Sequence, residues 1–147
     1  MRWIVVALVA LSAGASAQPT PADIDSLFIK IDRAQAELAG AVSPFYHGAA
    51  DQTEAQQVAP VARFLDALIE MNQWVMAAKL VECEQDKALM SSFVALRYAP
   101  LLGLSEDAIG AVRALEPDTD EERAGKSRAI TIIQRFWAET GPLIRAP

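Results

Sequence analysis

The sequence predicts an all-α protein, a compact bundle of about five helices that follows a cleaved signal peptide. Apolar residues recur at three- and four-residue spacing along most of the chain, as they do on one face of an α-helix. Residues typical of helix starts precede most of these segments. No stretch shows the sustained alternation of apolar and polar residues that indicates a β-strand.

Residues 1–17 have the three parts of a secretory signal peptide: a positive charge at Arg2, an apolar run over residues 4–11, and small residues ending at Ala17. A retained membrane anchor is the less favoured alternative, because a spanning helix needs roughly 20 apolar residues. We expect cleavage before Gln18, one helical domain over residues 18–147, and a periplasmic or secreted location. Since charges interrupt each later apolar segment, we expect no membrane insertion after the signal is removed.

The first helix is predicted to start after Thr20, which can accept a hydrogen bond from a backbone N–H of the first turn. Pro21 suits the first helical position, because its missing N–H would have no partner there. The predicted apolar stripe consists of Ile24, Leu27, Phe28, Ile31, Ala34 and Leu38. We expect this helix to end at Gly40 and residues 43–48 to form a loop.

The next helix, over residues 61–83, is predicted to lie at the centre of the bundle, because it is apolar around most of its circumference. An acidic cap at residues 51–54 precedes it, and Pro60 is expected to restart or kink the chain. One apolar stripe is Val61, Phe64, Leu68, Met71, Val75 and Ala78. A second is Leu65, Ile69, Met76 and Leu80.

Three further helices complete the predicted bundle. Pro100 and Gly103 are expected to end a helix over residues 86–98, and Ser105 to cap a short one after it. A capping box of Thr119 and Glu122 is expected to open the last helix, which Gly141 and Pro142 would end. The inward residues are predicted to be Leu89, Met90, Phe93, Val94 and Leu96 in the third helix, Ile109, Val112 and Leu115 in the fourth, and Ile130, Ile133, Phe136 and Trp137 in the last.

The charge balance argues against two classes of partner. Loss of Arg2 with the signal peptide changes the formal net charge from −6 to −7. Nucleic acids and anionic membranes both attract basic surfaces, so neither is expected to bind this acidic chain.

The sequence predicts no catalytic residue, no metal site and no cofactor. His47 is the only histidine and Cys83 the only cysteine, whereas a zinc site needs three or four ligands. Cys83 has no partner for an intramolecular disulfide, so it is expected to be buried as a small apolar side chain, or else to link two chains. The protein is therefore expected to be a monomer or a Cys83-linked dimer.

Two groups of residues are candidate binding sites. Phe45, Tyr46 and His47 lie in the predicted loop, where aromatic rings either contact a partner or fold back over the end of the bundle. Arg63, Asp66 and Glu70 form the polar strip of an otherwise apolar helix. This strip is either a solvated surface, with Arg63 paired to one of the acids, or a small polar groove that binds a ligand.

These observations favour a non-enzymatic protein-binding module of the cell envelope whose partner is another exported protein. Such a module could inhibit a toxin or enzyme, as immunity proteins do, or assist an assembly. One alternative is a carrier of a small ligand or metal, with a site at the polar strip or near His47. The other is an exported chaperone, which would need an exposed apolar concavity.

Overall fold

The chain folds into five α-helices in a computed structural model that describes residues 19–47 and 56–144. The helices are α1 Pro21–Val42, α2 Pro44–His47, α3 Ala59–Leu80, α4 Glu84–Ala114 and α5 Asp120–Ile144. No strand occurs within those two ranges, so the all-α prediction is confirmed. The predicted signal peptide and the predicted cap at residues 51–54 lie outside the described residues.

The four long helices form an antiparallel bundle. Asp25 near the start of α1 pairs with Lys79 at the end of α3, at 3.1 Å, and Arg33 of α1 pairs with Glu139 near the end of α5, at 2.5 Å. α1 packs against α3 and α5, and α4 packs against the same two helices. The helices therefore alternate in direction around a single core, with α1 and α4 at opposite corners.

α3 contributes the inward row that the sequence predicted. Its buried residues are Val61, Phe64, Leu68, Met71, Val75 and Ala78. The second predicted stripe is wrong at Ile69 and Leu80, which are 41% and 72% exposed. α3 has only two large helix neighbours, α1 and α4, so the side turned away from both of them meets solvent.

The start of α1 agrees with the prediction, whereas its end does not. Thr20 Oγ1 accepts from the Asp23 N–H at 3.2 Å, and the Asp23 carboxylate accepts from the Thr20 N–H at 2.8 Å. α1 continues past Gly40 to Val42. Pro44 has no N–H to give to the Gly40 carbonyl, and the Ser43 hydroxyl donates to that carbonyl instead, at 3.0 Å. The predicted loop at 43–48 is wrong for residues 44–47, which form α2.

α4 is one helix of 31 residues, and the predicted break at Pro100 and Gly103 is wrong. The helix passes through the proline because one continuous row packs against the bundle on both sides of it. This row consists of Val94, Tyr98, Leu101, Ser105, Ala108 and Val112. Ser105 does not cap a helix. It is buried, donates to the Leu102 carbonyl at 2.7 Å and accepts from Trp137 Nε1 at 2.8 Å.

α5 begins as predicted and ends later. Thr119 Oγ1 accepts from the Glu122 N–H at 3.1 Å, and the Glu122 carboxylate accepts from the Asp118 N–H at 2.7 Å. The helix continues through Pro142 to Ile144, which is 5% exposed and belongs to the core. Of the predicted inward residues, Ile133 and Phe136 are buried, and Ile130 and Trp137 are half-buried. Burial of Ile144 explains why the proline does not end the helix.

The end of α4 is held by a side chain of α5. Lys126 Nζ donates to the carbonyls of Arg113 and Leu115, at 2.9 and 2.7 Å. Carbonyls at a helix C-terminus lack partners within the helix, and a cation there is favourable. We expect Lys126→Met to lower the free energy of unfolding by about 1–2 kcal/mol, measured by urea denaturation.

Arg128→Met is the matched control for Lys126→Met. Arg128 is exposed on the same helix, so its replacement also removes one positive charge while keeping an unbranched side chain. We expect this control to change stability by less than about 0.5 kcal/mol. Equal losses in the two variants would contradict the role given to Lys126.

Candidate functional site

The exposed side of α4 carries a row of apolar residues, which we name the α4 stripe. It consists of Leu89, Phe93, Leu96, Pro100 and Gly103. Leu89, Phe93 and Leu96 are 56%, 38% and 68% exposed, so the prediction that these three face the core is wrong. The positions alternate spacings of four and three residues, which places all five on one face of the helix.

The orientation of α4 follows from the continuity of the helix. The buried row from Val94 to Val112 and the α4 stripe both have heptad spacing. If α4 ended at Pro100, residues 84–99 could turn either row toward the core. The buried hydroxyl of Ser105 and the Tyr98–Thr140 hydrogen bond, at 2.9 Å, join the other row to α5. The α4 stripe therefore faces solvent.

α4 contains an 18-residue stretch that is long and apolar enough, by length and composition alone, to cross a membrane. Arg97 lies within this stretch, as the prediction of interrupting charges expects, but the stretch is continuous because the helix does not break at Pro100. Only 22% of the stretch is buried within the bundle. The other residues of the stretch are half-buried or exposed, and the α4 stripe is among the exposed ones.

α5 leaves the first turns of α4 uncovered. Thr140 lies beside Tyr98, and the two helices are antiparallel, so Ile144 at the end of α5 lies near residue 94 of α4. Residues 84 to about 93 of α4 therefore lie beyond Ile144 of α5, where Phe93 stacks on Trp74 of α3 and Lys87 and Ser91 line a small cavity with the start of α1. Leu89 and Phe93 of the α4 stripe belong to this part of the helix.

A small groove lies beside the α4 stripe, between α3 and α4. The Arg97 guanidinium lies 4.8 Å from the centre of the Trp74 ring, and the Phe93 ring stacks on the same indole at 5.8 Å. The groove has a volume of about 130 Å³. It is lined by Ala67, Glu70, Met71, Trp74, Arg97, Pro100, Leu101 and Leu104. This volume is well below the roughly 300–1,000 Å³ of small-molecule sites, so the groove suits one apolar side chain.

The predicted polar strip reaches the surface. Arg63, Asp66 and Glu70 are all exposed. Glu70 accepts a hydrogen bond from Arg97 of α4 at 2.7 Å, and within the described residues no ion pair joins Arg63 to either acid. The predicted pairing of Arg63 is therefore wrong. Sequence reasoning missed Arg97, although it is the one charged residue between Lys87 and Glu106.

The three residues of the predicted aromatic loop separate in the structure. Phe45 is 3% exposed and packs with Val58 and Leu115 in a small apolar cluster that closes one end of the bundle. Tyr46 is 39% exposed. Partial burial raises the pKa of Tyr46, and the negative charge of Asp66 raises it further, so one residue of each predicted site lies close to the other. The side chain of His47 lies outside the described part of the chain.

Cys83 is exposed, so the prediction that it is buried is wrong. It lies in the connection between α3 and α4, where the chain reverses at the surface. A disulfide between two chains stays a prediction. Among the described residues, no three His, Cys, Asp or Glu side chains are grouped as metal ligands.

Two of the cavities that lie away from the α4 stripe contain charged residues. One of about 140 Å³, at the ends of α1, α3 and α4, is lined in part by Asp25 and Lys79, which pair with each other. The other is an open groove of about 470 Å³ along α1 and α5 that contains Arg128 and Arg135. Arg135 already pairs with Glu37 in that groove. Neither cavity presents the enclosed apolar walls of a small-molecule site.

Comparisons with known proteins give no match. No protein-family model, no curated protein and no solved structure matches the chain.

Proposed function

We propose that this protein is a non-enzymatic binding module of the cell envelope, and that it binds another exported protein through the α4 stripe. The observation that carries the proposal is the exposed apolar row at heptad spacing on a helix whose opposite side is packed against the bundle. Large contiguous apolar patches are rare on proteins that work alone, and they mark interaction sites. Inhibition of a toxin or enzyme, or help in an assembly, would both use such a surface.

The groove beside the stripe supports a protein partner over a small ligand. Interface anchors are single apolar or aromatic side chains that fill small pockets near the centre of the contact. The groove between Trp74 and Pro100 has the size for one such side chain. The ring of Phe93 is held against Trp74, so this part of the surface is ordered before a partner arrives.

Leu96→Ser tests the proposed function. Leu96 is 68% exposed at the middle of the stripe, so the variant should fold with a free energy of unfolding within about 1 kcal/mol of the parent. The mature protein, purified gently from its exported compartment, should carry a second polypeptide. We expect Leu96→Ser to reduce the recovery of that polypeptide by at least about tenfold, since removal of an interface anchor costs more than 1–2 kcal/mol.

Leu102→Ser is the matched control, because it makes the same change on the same helix outside the stripe. Leu102 is 40% exposed. It lies more than a quarter turn away from every stripe residue. Recovery of the polypeptide should be retained in this variant. Equal recovery of the polypeptide with Leu96→Ser and with Leu102→Ser would contradict binding through the α4 stripe.

A second candidate function is an exported chaperone, and the exposed apolar side chains favour it. The apolar spacing predicts that Leu80, Leu89 and Leu96 face the core, whereas all three are more than half exposed. The breadth of binding separates the two functions. A chaperone would suppress the aggregation of several unrelated unfolded proteins in a Leu96-dependent way, whereas a dedicated module would retain one partner.

A further inference from the structure

The α4 stripe has the geometry of one half of a helix–helix seam. Its five positions follow the four-and-three spacing by which two helices interlock side chains. From residue 89 to residue 103 the stripe is about 21 Å long, which matches two heptads of a partner helix. At Gly103 no atom lies within 4 Å of the position a Cβ would occupy, so a partner backbone can approach closely there.

Acidic residues bound the stripe at both ends. Glu84 and Asp86 lie at its start, and Glu106 and Asp107 lie just beyond Gly103, all of them exposed. Within the described residues, no lysine or arginine forms an ion pair with Asp86, Glu106 or Asp107.

The cations nearest to the stripe are already engaged. Lys87 pairs with Glu84 at 3.3 Å, and Arg97 pairs with Glu70 at 2.7 Å. The rim therefore carries an excess of negative charge at each end of the stripe. An approaching surface meets an apolar centre between two acidic borders.

From this arrangement we propose that the α4 stripe binds a basic amphipathic helix, with apolar residues at heptad spacing and lysine or arginine at both ends of the apolar row. This inference rests on the proposed function, because it names the class of partner for the same surface. Opposite charges at the rim of an interface guide association and select the partner, while the apolar centre provides most of the affinity.

A second copy of the chain fits this surface poorly. In an antiparallel pair Asp86 would meet Glu106 and Asp107 of the other copy, and in a parallel pair each acidic end would meet itself. Like charges are unfavourable in both arrangements. The same rim repels an anionic membrane surface, which attracts basic helices.

The test uses the mature chain and three synthetic peptides. The first peptide is a three-heptad amphipathic helix with leucine at the seam positions and lysine at both ends. The second has glutamate in place of every lysine, and the third has the composition of the first in scrambled order. Isothermal titration calorimetry at low and at physiological salt gives the dissociation constants.

We expect the lysine peptide to bind at least about tenfold more tightly than either other peptide, and Leu96→Ser to weaken its binding by about tenfold. Asp86→Asn combined with Asp107→Asn should reduce the preference for lysine over glutamate, and Leu102→Ser should leave it unchanged. Equal binding of the scrambled lysine peptide would overturn the inference, since it would show attraction by charge alone.

The other occupants give distinct results. Sedimentation equilibrium that finds a dimer of the parent and a monomer of Leu96→Ser would assign the stripe to a second copy and overturn the inference. Leu96-dependent flotation with phosphatidylcholine vesicles, together with no peptide binding, would overturn it in favour of a membrane. A co-purified polypeptide lost in Leu96→Ser, with no preference for lysine, would overturn the inference and leave the proposed function standing. If Leu96→Ser retains both the co-purified polypeptide and the binding of the lysine peptide, the inference and the proposed function are both overturned.

Discussion

Gly125→Ala is expected to lower the free energy of unfolding by about 3 kcal/mol, although alanine is the better helix former. Gly125 is buried in the second turn of α5, where that helix crosses the end of α1. A Cβ at this position would lie 2.2 Å from the carbonyl oxygen of Ala41 and 3.9 Å from the ring of Phe45. Because the oxygen belongs to the backbone, no rotamer change relieves the contact, and α1 and α5 must move apart.

The separation would also affect the small cluster that closes this end of the bundle. Phe45, Val58 and Leu115 form that cluster, and α2, which carries Phe45, packs against α5. Gly40→Ala is the matched control, because a Cβ at Gly40 meets no atom within 4 Å. We expect Gly40→Ala to stabilise the protein by about 0.5–1 kcal/mol. Urea denaturation of both variants measures the two changes in the free energy of unfolding, which should have opposite signs. A Gly125→Ala protein as stable as the parent would contradict the close crossing.

Helical periodicity was sufficient to place the core where a helix has one apolar row that is clearly the longest. The inward row of α3, from Val61 to Ala78, was predicted residue for residue, and in α1 only Phe28 of the predicted stripe is incompletely buried. In both helices the competing positions are polar or interrupted. The sequence also predicts the N-cap at Thr20 correctly, because this cap depends only on the Thr20 side chain and a backbone N–H three residues later.

α4 shows why the candidate site could not be read from the sequence. Proline inside a helix removes a hydrogen bond and costs about 3 kcal/mol, so Pro100 was interpreted as a helix end. Packing of the row from Val94 to Val112 offsets that cost, but it depends on α5, which lies far away in the chain. α4 also has two apolar rows with the same spacing, so the spacing does not indicate which row faces the core.

The same dependence on distant neighbours explains the other errors. The thiol of Cys83 is exposed in the short connection where the chain reverses between α3 and α4. Arg97 pairs with Glu70, one of the two acids that Arg63 was expected to pair with, since the antiparallel packing of α3 and α4 brings Arg97 to Glu70. Contacts between residues far apart in sequence decide both outcomes, and no short pattern encodes them.

Phe136→Ala is expected to cost about 3–5 kcal/mol of stability, the largest loss among the predicted side-chain truncations. Phe136 is 2% exposed and lies at the centre of an aromatic group in the core. Its ring packs edge-on against Phe64 at 6.1 Å and against Trp137 at 5.3 Å, and Tyr98 lies at 6.4 Å. Truncation leaves a cavity that three large rings border, and their backbones belong to three different helices, so the site cannot collapse easily.

Leu96→Ala is the control that separates the two apolar rows of α4. It also removes a large apolar side chain, but from the α4 stripe, where 68% of the residue is exposed. We expect it to change the free energy of unfolding by less than about 0.5 kcal/mol, against a total of 5–15 kcal/mol for a domain of ordinary stability. Guanidinium denaturation followed by circular dichroism measures both variants. If Leu96→Ala proved as damaging as Phe136→Ala, the stripe would belong to the core, and the surface proposed to bind a partner would not exist. A large loss for Phe136→Ala alone would show that the bundle is stabilised from its inner rows, with the stripe left free for binding.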